Sequence, residues 1–177
     1  MTERQKVPGY MSGSLTGLKP EERGKLLKFY EGIAEVAERH GIALYLPHQH
    51  SDAVKNPDLL PPEIDKMDRT QVARASVMIA EISQPSHGVG IELEMARAYG
   101  VNILLLGSKD SVEKIRRGYD RKILGNPTIR AIVSYESQDD ALAQLERVLV
   151  EKEQELKTKG SLCHCPRDEE FFNSLET

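Results

Sequence analysis

Cysteine is scarce in this chain of 177 residues, where Cys163 and Cys165 are the only two. A fold held by disulfides is excluded, and a reducing compartment, the cytoplasm, is expected. No apolar run approaches the ~20 residues of a membrane-spanning helix. The opening MTERQKVPGY lacks the apolar core of a secretory signal, so no membrane partner is expected. Cationic side chains are not in excess either: 24 Lys and Arg stand against 28 Asp and Glu, a net charge of -4. A nucleic-acid duplex is therefore not an expected partner, although a pocket for one phosphate is compatible with this balance. Two nucleotide motifs are missing. The loop at Gly13 lacks the GxxxxGK[ST] pattern, and Gly88-Val89-Gly90 has Leu93 where a third glycine would complete a dinucleotide turn. What remains is ordinary for a globular chain, with 39% hydrophobic and 29% charged residues. That is too apolar for disorder, and at roughly 150 residues per domain the length suits one domain.

Apolar runs alternate with helical patterns. Strands are expected at 7–12, 42–47, 77–82, 101–106 and 128–134. The run Val77-Met78-Ile79-Ala80-Glu81-Ile82 reads as a central strand covered on both faces. Helices are expected at 20–40, from Pro62 to Ala75, at 90–99, 108–117 and 139–157. In the first of them Leu26, Leu27, Tyr30, Ile33, Ala34 and Ala37 recur at helical spacing. Residues 48–62 and 118–127 read as irregular. This alternation predicts an α/β fold, a Rossmann/flavodoxin-like parallel five-stranded sheet with helices on both faces. The expected domain spans 1–159, followed by a tail at 160–177. In such sheets ligands bind at the carboxyl ends of the strands, near the topological switch point. The loops to inspect are 13–17, 48 onward and 83–90.

The stretch Ser83-Gln84-Pro85-Ser86-His87-Gly88-Val89-Gly90-Ile91-Glu92 joins a central strand to a helix N-terminus. Free N–H groups there favour an anion, Gly88 and Gly90 allow close approach, and Ser86 adds a hydroxyl. It is either a phosphate cradle or simply a tight glycine turn. Glu92, placed in the first helical turn, either faces the crevice or satisfies the helix end. Glu94, about 200° round the helix, cannot share its direction. Asp68 lies on the preceding helix, on a solvated face or turned toward Glu92. Two carboxyl groups flanking a bond to a sugar are the parts of glycosidic chemistry. Tyr10 either orients Glu92 or packs in the core. His48 lies against a planar base or at the surface, whereas His50 and His87 read as surface residues. Cys163-His164-Cys165 lacks a second pair at structural-zinc spacing, so no metal is expected.

Three stretches resemble the nucleoside 2-deoxyribosyltransferase superfamily, and most closely its 2'-deoxynucleoside 5'-phosphate N-hydrolase branch. They are Tyr10-Met11-Ser12-Gly13-Ser14, the segment from Asp68 to Ala80, and Glu81 through Leu93 with Ala96, Ala98 and Gly100 beyond. The likeness spans roughly residues 7 to 150. It implies that Glu92 is the glutamate that attacks C1' of the sugar. It implies that Asp68 passes a proton to the departing base and that Tyr10 orients the glutamate. Gly13, Ser14, Thr16, Ser86, Gly88 and Gly90 fall on the sugar-phosphate pocket and His48 near the base. The transferase branch places an acid where Ser86 stands, and a serine there favours nucleoside monophosphates over free nucleosides. Thr16 replaces an arginine of the hydrolase branch, with Lys19 as a possible substitute, and Ser76 replaces an aspartate. The implied activity is hydrolysis of the N-glycosidic bond of a (deoxy)nucleoside 5'-monophosphate. The alternatives are base exchange on free deoxynucleosides and a non-catalytic nucleotide sensor. No cofactor is implied, and a homodimer or higher homo-oligomer is.

Overall fold

The computed structural model describes residues 6–15, 17–52, 55–118 and 120–158. Five strands form one parallel sheet: β1 (Val7–Gly13), β2 (Ile42–Tyr45), β3 (Val77–Glu81), β4 (Asn102–Ser108) and β5 (Ile129–Tyr135). Their order is β2-β1-β3-β4-β5, so the direction of winding reverses between β1 and β3. The expected fold class is the one observed. The helices are α1 (Pro20–Arg39), α2 (Pro47–His50), α3 (Pro61–Arg74), α4 (His87–Ala98), α5 (Lys109–Arg116), α6 (Arg121–Leu124), α7 (Gln138–Glu151) and α8 (Glu153–Lys157).

Strand parity divides the core. Met11, Val77, Ile79, Leu104, Leu106 and Val133 point to one face, where Phe29, Tyr30, Ile33 and Ala37 of α1 and Leu145 and Leu149 of α7 cover them. Tyr10, Met78, Ala80, Ile103 and Leu105 point to the other, against Val72 of α3 and Val89, Leu93 and Ala96 of α4. The two sets alternate along each strand, as a period of two requires when both faces are covered. Among the described residues, no helix is long and apolar enough to cross a membrane.

The boundaries differ from expectation where a proline or a serine cap acts. Pro47 does not end the second strand but opens α2; its fixed φ suits the first helical position. The helix after β3 starts at His87, because Ser86 caps it by accepting from Val89 N–H. Gly88 and Gly90 therefore lie inside α4 and not in the loop before it. The 118–127 segment contains the single turn of α6, capped by Asp120. The last expected helix breaks at Lys152 into α7 and α8. Residues 160–177, with the Cys-His-Cys run, lie outside the described residues.

At the carboxyl end of β1, Gly13 lies beneath Tyr30, and a Cβ there would stand 2.5 Å from the tyrosine Cζ and Oη. Tyr30 is 1% exposed and donates to the Ser14 carbonyl at 3.2 Å, so its ring has little room to move. Gly13→Ala should lower the unfolding free energy by about 1–3 kcal/mol, the range for overpacking. Urea denaturation would measure it, and wild-type stability in that variant would show that the ring yields freely.

Candidate active site

Tyr10 and Ser12 are two apart on β1, so they share the face that α3 and α4 cover. Both are fully buried. Glu92 is the sixth residue of α4, in its second turn, and it turns inward onto this pair. Tyr10 Oη donates to Glu92 Oε1 at 2.7 Å, and Ser12 Oγ donates to Glu92 Oε2 at 2.5 Å. Glu92 therefore does not serve the helix end, a task that falls to Ser86. Glu94 points elsewhere and pairs with Arg97 at 2.9 Å. Each Glu92 oxygen accepts one of these bonds, and a carboxylate oxygen has a second lone pair.

Burial raises the Glu92 carboxyl from the ordinary 4.5 to about 7; the hydroxyls of Ser12 and Tyr10 oppose that rise, and the negative charge of Asp68 adds to it. Asp68 on α3 is also pushed up, chiefly by burial, against a bond from Ser51 Oγ to its Oδ1 at 3.4 Å. The Asp68 charge acts on Glu92, Tyr10 and Tyr45 alike, so the two carboxyl groups share one electrostatic site. The Tyr10 hydroxyl is held far above the normal phenol range by burial and then by Glu92. It stays a donor.

An aromatic column runs away from this centre. Tyr10 stacks on Tyr45 at 5.8 Å between centroids, and Tyr45 stacks on the exposed ring of His50 at 4.6 Å. The Tyr45 hydroxyl is buried without a hydrogen-bond partner. His48 is 5% exposed and neighbours Tyr30 at 6.3 Å, with its Nε2 unpartnered. Burial, then the Lys55 charge, lowers its pKa. His48 thus lies inward and His50, read as a surface residue, closes the column.

Ser14, Ser86, Gly88 and Gly90 line one groove beside the N-terminal half of α4, together with Ser83 and Ser111. Glu92 is not among its lining residues; it occupies the opposite flank of the helix. A Cβ on Gly90 would meet nothing within 4 Å, so that glycine leaves open space next to the helix end. Of the expected site residues, Tyr10, Asp68 and Glu92 come together, and Gly13, Ser14, Ser86, Gly88 and Gly90 gather at the adjoining strand and helix ends. Thr16 lies outside the described residues. Ser12 was missed as a partner of Glu92, although its spacing of two from Tyr10 was the signal.

No protein-family model matches the chain. A Syntrophotalea carbinolica protein, assigned by its name to the 2'-deoxynucleoside 5'-phosphate N-hydrolases, is 29% identical over 147 residues, covering 80% of this chain and 94% of that protein. The structure named CMP N-glycosidase BcmB, from Clostridium botulinum, superposes with TM-score 0.57 at 22% identity, over 80% of this chain and 99% of that one. BlsM superposes with TM-score 0.61 at 22% identity, over 84% and 94%. These likenesses bear out the resemblance to the nucleoside 2-deoxyribosyltransferase superfamily, and the two structures bear on the fold.

The raised Glu92 carboxyl has a thermodynamic consequence. Between 4.5 and about 7 the folded chain keeps a proton that the unfolded chain has lost. Its contribution to stability is therefore full below the lower value and disappears as pH rises through the upper one. Denaturation at about pH 5 and about pH 8 should show a smaller fall with pH in Glu92→Gln than in the wild type. Equal falls in both proteins would mean that Glu92 is an ordinary exposed carboxylate.

Proposed function

We infer, from the likeness to a protein named as a 2'-deoxynucleoside 5'-phosphate N-hydrolase, that the chain hydrolyses the N-glycosidic bond of (deoxy)nucleoside 5'-monophosphates. The products are free base and (deoxy)ribose 5-phosphate. The observation that carries this reading is the half-buried Glu92 carboxylate held by Tyr10 and Ser12 within the field of Asp68. The name of the Syntrophotalea carbinolica relative supports the same reaction class.

Glu92 attacks C1' as the bond to the base lengthens, and its negative charge stabilises the oxocarbenium-like centre. The bond's electron pair leaves with the base nitrogen, which takes a proton from Asp68. Burial raises the Asp68 carboxyl, and at Glu92 two hydroxyl donors favour the ionised form against the rise that burial causes. Water then attacks C1', giving its proton to Asp68, and Glu92 departs as carboxylate. Atoms and charges balance without a metal or a redox group. The phosphate sits at the turn 86–90, against Ser86 and the N-terminal end of α4. The base lies toward Tyr45, His48 and His50. A homodimer or larger homo-oligomer in a cytoplasmic setting completes the reading, on the strength of the resemblance.

The test is a panel of nucleosides and their monophosphates, assayed for base release with and without an added acceptor base. Base and sugar phosphate are expected, and Glu92→Ala should lose about a thousandfold or more in kcat. The wild-type kcat/KM should fall as pH drops below about 7, where Glu92 takes up its proton. Tyr10→Phe removes a bond that favours the ionised form, so it should move that limb to higher pH. A new nucleoside formed with the acceptor would make the protein a transferase. Undiminished turnover in Glu92→Ala would sink the reading.

A further inference from the structure

A second buried carboxylate ends the central strand. Glu81 is the last residue of β3 and 1% exposed. It continues the parity of Val77 and Ile79, so it faces α1 and α7, across the sheet from Glu92. The glycosidic steps do not use it. Its Oε1 accepts from Tyr135 Oη at 2.8 Å and from Ser83 N–H at 3.0 Å, while its Oε2 has no partner.

The bonds around Ser83 have a fixed direction. Tyr135 has one hydroxyl hydrogen and gives it to Glu81, so in the 3.0 Å contact with Ser83 Oγ the serine must donate. Ser83 Oγ also accepts from Ser108 N–H at 2.7 Å, and the Ser83 carbonyl accepts from Ser111 Oγ at 3.1 Å. Ser83 is thus held through its N–H, its hydroxyl and its carbonyl, by groups on β3, β4, β5 and α5. It stands three residues before Ser86, the cap of α4. The intervening Gln84 and Pro85 are exposed. Ser83 is the anchored end of the turn that leads to Ser86.

We propose that Glu81 and Tyr135 are positioning residues, which fix the β3–α4 turn through Ser83 and so set the hold on the substrate's 5'-phosphate. This rests on the reading of the turn as the phosphate site. Their effect falls on that subsite and not on Glu92, which is held from β1 on the other face of the sheet. Loss of the Tyr135 hydroxyl takes away the acceptor of the Ser83 hydroxyl, leaving that side chain only its bond from Ser108 N–H, and removes one of the two donors to Glu81. The turn then has more conformations available, and only some of them present Ser86 and the α4 N–H groups to one anion.

The experiment compares wild type, Tyr135→Phe and Glu81→Gln, the last keeping an acceptor oxygen for both bonds. Kinetics with a monophosphate and with its parent nucleoside are joined to amide hydrogen exchange over residues 83–90 and to a melting curve. Tyr135→Phe should raise KM for the monophosphate about tenfold with kcat changed less than about twofold, and leave kcat/KM for the nucleoside unchanged. Exchange over 83–90 should quicken without a matching loss in global melting, whereas Glu81→Gln should stay close to the wild type in both KM and exchange. An unchanged KM, an equal loss with nucleoside and monophosphate, or unaltered exchange over 83–90 would overturn the proposal. Should the wild type release no base from any nucleotide, the hydrolase reading alone falls. The exchange data then still decide whether these two residues hold the turn.

Discussion

A carboxylate withdrawn from water needs donors, and the two that meet Glu92 come from adjacent inward positions of one strand. Tyr10 and Ser12 can both reach it only because β1 alternates its side chains and because α4 packs over the face they share. The sheet order puts β1 beside β3, so the strand carrying the donors adjoins the strand that leads into the helix carrying the acid. Hydrogen bonds to an ionised group are stronger than neutral ones, and they offset part of the penalty of burial. The balance is visible in the raised carboxyl of Glu92: desolvation exceeds what two hydroxyls return. A carboxylate in that condition is poorly solvated and already oriented. Both properties suit attack on, and stabilisation of, a developing positive charge.

The crossover segments bring a second acid from a different direction. Asp68 sits in the last half of α3, whose Val72 packs in the same core as Tyr10. Its field reaches Glu92, Tyr10 and Tyr45 and makes the ionisation of either carboxyl less favourable while the other is charged. The two acids are thereby coupled to each other without a histidine. His48, the residue nearest to hand for such a task in sequence, is buried on Tyr30 with its basicity reduced.

Much of this was legible before any coordinates. The alternation of apolar runs and helical periods carried the five strands and their parallel sense, because fully buried strands and amphipathic helices leave distinct patterns. The triad of Tyr10, Asp68 and Glu92 followed from a resemblance; spacing alone left each of them with a plain structural role. What spacing did hold, and was not used, is the parity of Ser12 with Tyr10. The start of α4 was misplaced for a local reason. Gly88 reads as a loop residue and Gly90 as the first of the helix, but a serine cap at 86 outweighs the poor helix propensity of both in the first turn. Pro47 was misread in the same way, as the end of a strand and not as the opening of α2. The role of Glu81 was out of reach, since its partners Ser83 and Tyr135 meet only when β3 and β5 flank β4.

The departures from the family pattern and the network behind the sheet belong to one physical argument. By the resemblance, Thr16 stands in the sequence where the hydrolase branch carries an arginine, while Lys114 and Lys122 are the lysines that line the groove beside the proposed phosphate turn. An arginine tolerates misplacement, because charge acts over distance and a flexible stem can follow its partner. Neutral donors have neither property; a serine hydroxyl or an α4 N–H group contributes only within hydrogen-bond range and near-linear geometry. On the proposed reading, what the turn itself contributes to the hold on the phosphate therefore depends on placement. Placement depends on how well the turn after β3 is fixed. Ser83 is bound at every polar atom it has, with a buried carboxylate and a tyrosine behind it. Rigid backing of this kind is what neutral donors to an anion require, whatever charge Lys114 and Lys122 add from the groove wall.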